Sequence, residues 1–122
     1  MQLQNQHVLV TGGFGTLGIA VVRAALAAGA RVTAVDHAKA PATDAPAGAH
    51  WVGGIDLADA ATAAATVDRI AATGGGLDAL VNVAGTFRWE TVEGGSLDTW
   101  DLLYRVNLRT AVAASKAALP HL

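Results

Sequence analysis

The sequence predicts an α/β fold in which a doubly wound parallel sheet lies between helix layers, a three-layer α/β/α sandwich. Three observations predict it. Short apolar or β-branched runs alternate with helix-period segments along the chain. The breaks between them fall at glycine, proline and aspartate. The run from Leu77 to Val83 is apolar nearly throughout, as a strand buried on both faces is.

The elements follow in order. His7 to Val10 is a short apolar run that ends in Thr11-Gly12 and predicts the first strand. Gly15 to Ala28 predicts a helix, because Ile19, Val22 and Leu26 recur at helical spacing and Gly29 stops it. The β-branched stretch Arg31 to Val35 predicts a second strand closed by Asp36. Residues 37 to 49 contain Pro41, Pro46 and Gly48 and read as a loop, followed by a brief strand at His50 to Val52. Residues 58 to 72 predict an alanine-rich helix closed by Gly74-Gly75-Gly76. Leu77 to Val83 is the fourth strand, residues 85 to 95 a loop, and a long helix runs from Ser96 toward Leu119, with Ser96 or Asp98 as its cap. This β-α-β order requires parallel strands joined by right-handed crossovers. One domain over residues 1–122 is expected from this length.

Composition excludes several classes of function. The net charge is −2 and no Lys/Arg run exists, so a nucleic-acid surface is not expected. With no cysteine there is neither a disulfide framework nor thiolate catalysis. The first six residues have no basic or apolar signal region, and no apolar run approaches the roughly 18 residues that span a bilayer. A soluble, cytoplasmic protein with no membrane partner is expected. His7, His37, His50 and His121 are scattered without ligand spacing, so no metal site is expected.

The strongest local signal is Thr11-Gly12-Gly13-Phe14-Gly15-Thr16-Leu17-Gly18, placed between a strand and a helix. Glycine admits positive φ and lets the backbone approach a pyrophosphate with no Cβ in the way. The helix that starts here offers free N–H groups and about half a positive charge to that phosphate. Asp36 ends the second strand, 36 − 18 = 18 residues after Gly18. A carboxylate there accepts both ribose hydroxyls of NAD. It repels the extra phosphate of NADP, at about 4 kcal/mol per charge pair for ~4 Å and an effective dielectric near 20. The glycine loop holds no Lys or Arg to compensate, and Lys39 nearby reads equally as a solvated charge. These features predict a Rossmann-type, NAD-binding sheet. The plain alternatives are a tight strand–helix turn without a ligand and a strand-end turn aspartate.

On these residues the chain resembles the short-chain dehydrogenase/reductase family over essentially its whole length. The resemblance rests on Thr11-Gly12, Gly15 and Gly18, on Asp36, on Asp56-Leu57, on Asn82-Val83-Ala84-Gly85 and on Asn107. It implies that Asp56 meets the adenine amine and that Leu57 packs beside the ring. It implies that Asn82, Val83, Ala84 and Gly85 support the sheet centre and face the cofactor's ribose. Asn107 matches the helix asparagine whose backbone carbonyl holds a water of the proton relay. Cofactor contacts are thus expected from Gly12, Phe14, Gly15, Thr16, Leu17, Gly18, Asp36, Asp56, Leu57 and the 82–85 segment, with Asn107 on the catalytic side. Each also has a structural reading: Asn82 as a hydrogen-bonder, Asp56 as a helix cap, Asn107 as a buried amide that kinks its helix. Two positions depart from the family pattern. The middle glycine falls at Gly15 where the family usually places it at the position of Thr16, and Val83 replaces a second asparagine. That spacing is closer to the family's extended subgroup and to dihydropteridine-reductase-like members, and the short 36–50 segment resembles dihydropteridine reductase or the dihydroxybenzoate dehydrogenases.

The family's chemistry uses a serine and a Tyr-x-x-x-Lys pair, in which lysine lowers the tyrosine's pKa. The only tyrosine, Tyr104, is followed four residues later by Leu108, so these 122 residues hold no such pair. The fourth strand is expected to be an apolar edge, and the chain to be an N-terminal portion truncated after the fourth strand and its following helix. Two functions follow. One is a hydride transfer between NAD(H) and a carbonyl/alcohol or pterin-like small-molecule substrate; the other is a module or subunit that binds NAD without turnover. Phe87, Arg88, Trp89 and Trp100 stand where substrate-side loops begin, and also read as loop packing. By analogy with the family, the 97–119 helix is expected to form a homo-oligomer contact.

Overall fold

A computed structural model describes residues 2–41 and 44–122; positions 42 and 43 of the loop read at 37–49, and Met1, lie outside the described residues. The strands are β1 (His7–Thr11), β2 (Arg31–Val35), β3 (His50–Val52) and β4 (Ala79–Asn82). The helices are α1 (Thr16–Ala27), α2 (Ala60–Gly74), α3 (Leu97–Leu103) and α4 (Thr110–Ala118). The four strands form one parallel sheet in the order β3-β2-β1-β4.

The alternation of strand side chains explains the layers. Val8 and Val10 of β1 and Val32 and Ala34 of β2 face α1, where Phe14, Val22 and Ala25 join them. Leu9 and Val35 point the other way, into a second cluster with Val67, Ile70 and Ala71 of α2 and Ala118 of α4. Leu9, Val10, Val22 and Val35 are among the most fully buried side chains, each contributing about 1.5–3 kcal/mol of transfer free energy.

The helix ends are set by local chemistry. The Asp59 carboxylate accepts from Thr62 N–H and caps α2, and Gly75 closes it in a left-handed conformation at φ 72°. Asp56 therefore does not cap that helix. Ser96 caps α3 by accepting from the Asp98 amide. The long helix expected from Ser96 to Leu119 is divided. Tyr104–Arg109 is a π turn in which the Thr110 amide reaches back to the Arg105 carbonyl. A short 3-10 turn, Leu119–His121, follows α4.

The topology fixes where a ligand can sit. The chain runs outward from β1 to β2 and β3, then returns to place β4 on the other side of β1. The loops after β1 and β4 therefore part at the carboxyl ends of these strands. That is the switch-point crevice where open α/β sheets take their ligands.

Candidate functional site

The crevice is a cleft of about 650 Å³ at the carboxyl ends of the sheet. Gly12, Gly15, Thr16, Leu17 and Gly18 line it from the glycine loop, Asp36 and His37 from the end of β2, and Asp56, Leu57 and Ala58 from the segment after β3. Val83, Ala84 and Gly85 line it after β4, and Leu102, Arg105, Val106 and Thr110 close it from the long helix.

The glycine loop is shaped by two close approaches. Gly12 has φ +63°, and a Cβ there would stand 2.6 Å from Ala84 Cα. A Cβ on Gly18 would stand 2.0 Å from the Gly12 carbonyl oxygen. Any side chain at Gly18 would push the loop off the first turn of α1. The N-cap of α1 is Gly15, which makes no side-chain cap, and the first turn holds no acidic residue. Its leading amides thus face the cleft, where an anion supplies what a capping side chain otherwise would.

Asp36 is set by two backbone donors. Its Oδ2 accepts from the Phe14 amide at 3.0 Å and its Oδ1 from the Ala38 amide at 3.1 Å. Each carboxylate oxygen keeps a lone pair for a further donor. The Phe14 side chain itself lies in the core, edge-on to Trp51 with ring centroids 5.6 Å apart. Phe14 therefore bears on the site through its amide, which aims Asp36, and not through its ring.

Asp56 stands at the far end of the cleft. Its Oδ1 accepts from the Ala58 amide at 3.0 Å and its Oδ2 from the Arg105 guanidinium at 2.7 Å. Burial pushes its carboxyl up. The hydrogen bonds from Arg105 and Ala58, with the nearby Arg105 and His37 charges, outweigh that and hold it below the usual carboxylate range. Leu57 is buried, and its side chain joins the α2-side core while its position borders the cleft.

The segment after β4 is held from both sides. Thr11 Oγ1 accepts from the amides of Val83 at 3.2 Å and Ala84 at 3.3 Å, tying the end of β1 to the end of β4. Asn107 grips Thr86 twice: its Oδ1 accepts from the Thr86 amide at 2.7 Å and its Nδ2 donates to the Thr86 carbonyl at 3.0 Å. Asn107 is exposed, which corrects the picture of a buried amide. Asn82 is not among the residues that line the cleft; its Nδ2 donates to Ser115 Oγ at 3.1 Å and braces β4 against α4.

Several cleft residues carry no motif. Arg105, Leu102, Val106 and Thr110 enter through the helix, and His37 follows Asp36. The glycine loop, Asp36, Asp56, Leu57 and Val83 to Gly85 are the lining positions that the sequence motifs mark. Thr11 opens the glycine motif, but its bracing role follows from the β1–β4 pairing.

The short chain dehydrogenase family model matches residues 6–122. The chain belongs to the short-chain dehydrogenase family. Among relatives, D-threitol dehydrogenase of Mycolicibacterium smegmatis is 38% identical over 113 residues, which cover 88% of this chain and 44% of that protein. The inactive 2-(S)-hydroxypropyl-CoM dehydrogenase 2 of Xanthobacter autotrophicus is 37% identical over 102 residues, covering 81% of this chain and 44% of that one. The crystal structure of a short chain dehydrogenase from Burkholderia cenocepacia in complex with NADP superposes with a TM-score of 0.86 at 36% identity, covering 100% of this chain and 53% of that chain. The chain thus spans about half the length of the family members it matches. Among the described residues no helix is long and apolar enough to cross a membrane.

Proposed function

We propose that this chain is the dinucleotide-binding part of an NAD(H)-dependent oxidoreductase acting on a carbonyl/alcohol pair. The observation that carries the reading is the cradle between Gly12 and Gly18. A Cβ at either glycine would collide with backbone, and the first turn of α1 beside them carries no capping side chain. In this reading the diphosphate rests on the amides of Thr16, Leu17 and Gly18, and Asp36 takes the ribose hydroxyls. Val83, Ala84 and Gly85 form the wall toward the nicotinamide end. Bound nicotinamide supplies the hydride; the chain's own part is to bind, orient and exclude water. Asn107, through Thr86, positions that wall, and its backbone carbonyl is the candidate holder of a relay water.

The cofactor choice rests on Asp36. Its carboxylate is fixed by Phe14 and Ala38, so it cannot swing away from an added 2′-phosphate without losing both bonds. The likeness to D-threitol dehydrogenase of Mycolicibacterium smegmatis supports the substrate class. The expected homo-oligomer contact lies on the long helix, where Leu97, Leu108 and Val112 are exposed. The reading also places the protein in the cytoplasm, consistent with a chain free of cysteine.

Titration with NADH and NADPH, followed by nicotinamide fluorescence, tests this. NADH is expected to bind more tightly, and Asp36→Ala to erase the preference. Equal affinity in the parent chain contradicts the role of Asp36, and tighter NADPH binding points to the cofactor seen in the Burkholderia cenocepacia neighbour. A second reading, a module that binds NAD without turnover, is supported by the likeness to the inactive 2-(S)-hydroxypropyl-CoM dehydrogenase 2 of Xanthobacter autotrophicus. Binding with no hydride transfer to any carbonyl by the full polypeptide would establish it.

A further inference from the structure

The π turn places three side chains on two different loops. Arg105 reaches Asp56, Arg109 donates to the Ala58 carbonyl at 2.7 Å, and Asn107 grips Thr86. An uninterrupted α-helix advances about 100° per residue and would not hold these three directions in the same way. Two of the three converge on the segment after β3, at the end of the cleft farthest from β4.

The strand order says what that end must read. The phosphate cradle sits at the end of β1 and the ribose acid at the end of β2. Neighbouring strands stand about 4.8 Å apart, so the next group of the ligand falls about one strand further, at the end of β3. Asp56 waits there with an acceptor-only carboxylate, which selects a base bearing an exocyclic amine over one bearing a carbonyl. The carboxylate has about four lone-pair sites, and Ala58 and Arg105 occupy two, so acceptor capacity remains.

We propose that Arg105 is a specificity-determining positioning residue: its guanidinium locks the Asp56 carboxylate toward the nucleotide base and so makes the cleft discriminate adenine from a 6-keto purine. This inference rests on the dinucleotide reading above. Without the Arg105 contact, the carboxylate keeps only the Ala58 amide and turns about its own side-chain torsions. A rotated carboxylate still tolerates the base but rewards its amine less. The ion pair is half exposed, with side-chain exposures of 50% for Arg105 and 44% for Asp56. Its effect is therefore modest and screened by salt.

The test uses the 122-residue chain with NADH and with nicotinamide hypoxanthine dinucleotide, reduced form, in which a carbonyl replaces the adenine amine. The readout is the ratio of the two dissociation constants. The parent chain is expected to favour NADH, and Arg105→Met to lower that ratio by roughly two- to fivefold, the range an exposed ion pair commands. Arg105→Lys keeps the charge and is expected to recover part of the ratio. A general loss of structure would weaken both ligands alike and leave the ratio where it was. Raising salt from about 0.05 M to 0.5 M should lower the parent chain's ratio toward that of Arg105→Met, which tests the pair even if the variant folds poorly. An unchanged ratio in Arg105→Met and across salt overturns the inference while leaving NADH binding intact. No NADH binding by the parent chain overturns the dinucleotide reading itself.

Discussion

The two ends of the sheet carry similar polar residues and use them in opposite ways. At the amino end, His7 is buried at 3% exposure with both ring nitrogens engaged: Nδ1 donates to the Gly76 carbonyl at 2.6 Å and Nε2 meets Thr33 Oγ1 at 2.8 Å. The His7 amide donates to Asp78 at 2.7 Å, and Arg31 donates to the carbonyls of Asn5 and Gly74. These groups satisfy one another within the protein. At the carboxyl end, the α1 amides have no side-chain cap, and the Asp36 and Asp56 carboxylates are aimed by backbone or arginine donors with acceptor capacity left over. Polar groups that close on each other hold the fold; polar groups fixed in place with bonding capacity unspent make a site.

The largest break in that contrast is expected from Gly18→Val. Its Cβ would lie 2.0 Å from the Gly12 oxygen, so the cradle must open. NADH binding should fall below detection in a fluorescence titration while the far-UV spectrum keeps its α/β signature. Retained binding would remove the cradle from the account.

The converse variant sits at the other end. His7→Phe fills the same space but leaves the Gly76 carbonyl and the Thr33 hydroxyl without the ring partners. Urea unfolding should show a loss of roughly 2–6 kcal/mol, at about 1–3 kcal/mol for each of the two groups left unpaired. NADH affinity of the folded fraction should not change. A change in affinity of equal size would show that the two ends are not separable.

How far this contrast was legible in the sequence depends on range. The spans of β2 and β3 match the expected ones, because β-branched runs bounded by Gly and Asp are local signals. The expected fourth strand, Leu77 to Val83, contracts to Ala79–Asn82, because Leu77 turns into the α2-side core and the Val83 amide bonds to Thr11. The 58–72 helix shifts to Ala60–Gly74, because Asp59 and not Asp56 caps it. Gly12, Gly18 and Asp36 are readable as a pattern since their spacing follows from strand and turn lengths, whereas Asp56 is marked only by the family resemblance. The ring of Phe14 was not, because Trp51, the partner that draws it into the core, lies 37 residues away (51 − 14 = 37). Arg105 and Asn107 act through a π turn that a helical period does not reveal.

Two smaller effects sharpen the picture of the open end. Asn107→Ala removes both bonds to Thr86, each an exposed contact of about 0.5–1.5 kcal/mol. NADH affinity should drop severalfold, and hydrogen exchange at Thr86 should rise while exchange at Val10 stays slow. The smallest effect concerns acid. Asp56 has a folded pKa below its unfolded value, so its share of stability is complete above the ordinary carboxylate range and is lost as pH falls through the lowered value. Unfolding followed from pH 5 to pH 2 should show a gentler acid-side decline for Asp56→Asn than for the parent chain, and identical slopes would deny that Arg105 stabilises the ionised form.

In the proposed function a dinucleotide's phosphates lie against the first turn of α1 at the carboxyl end of the sheet. Amide chemical shifts of the 15N-labelled chain, recorded during titration with ADP-ribose, test it most directly. The account predicts saturable shifts at Gly12 to Gly18, Asp36 to Ala38 and Val83 to Gly85, with His7, Arg31 and Gly76 silent. Shifts confined to His7, Arg31 and Gly76, or none at all, would contradict it.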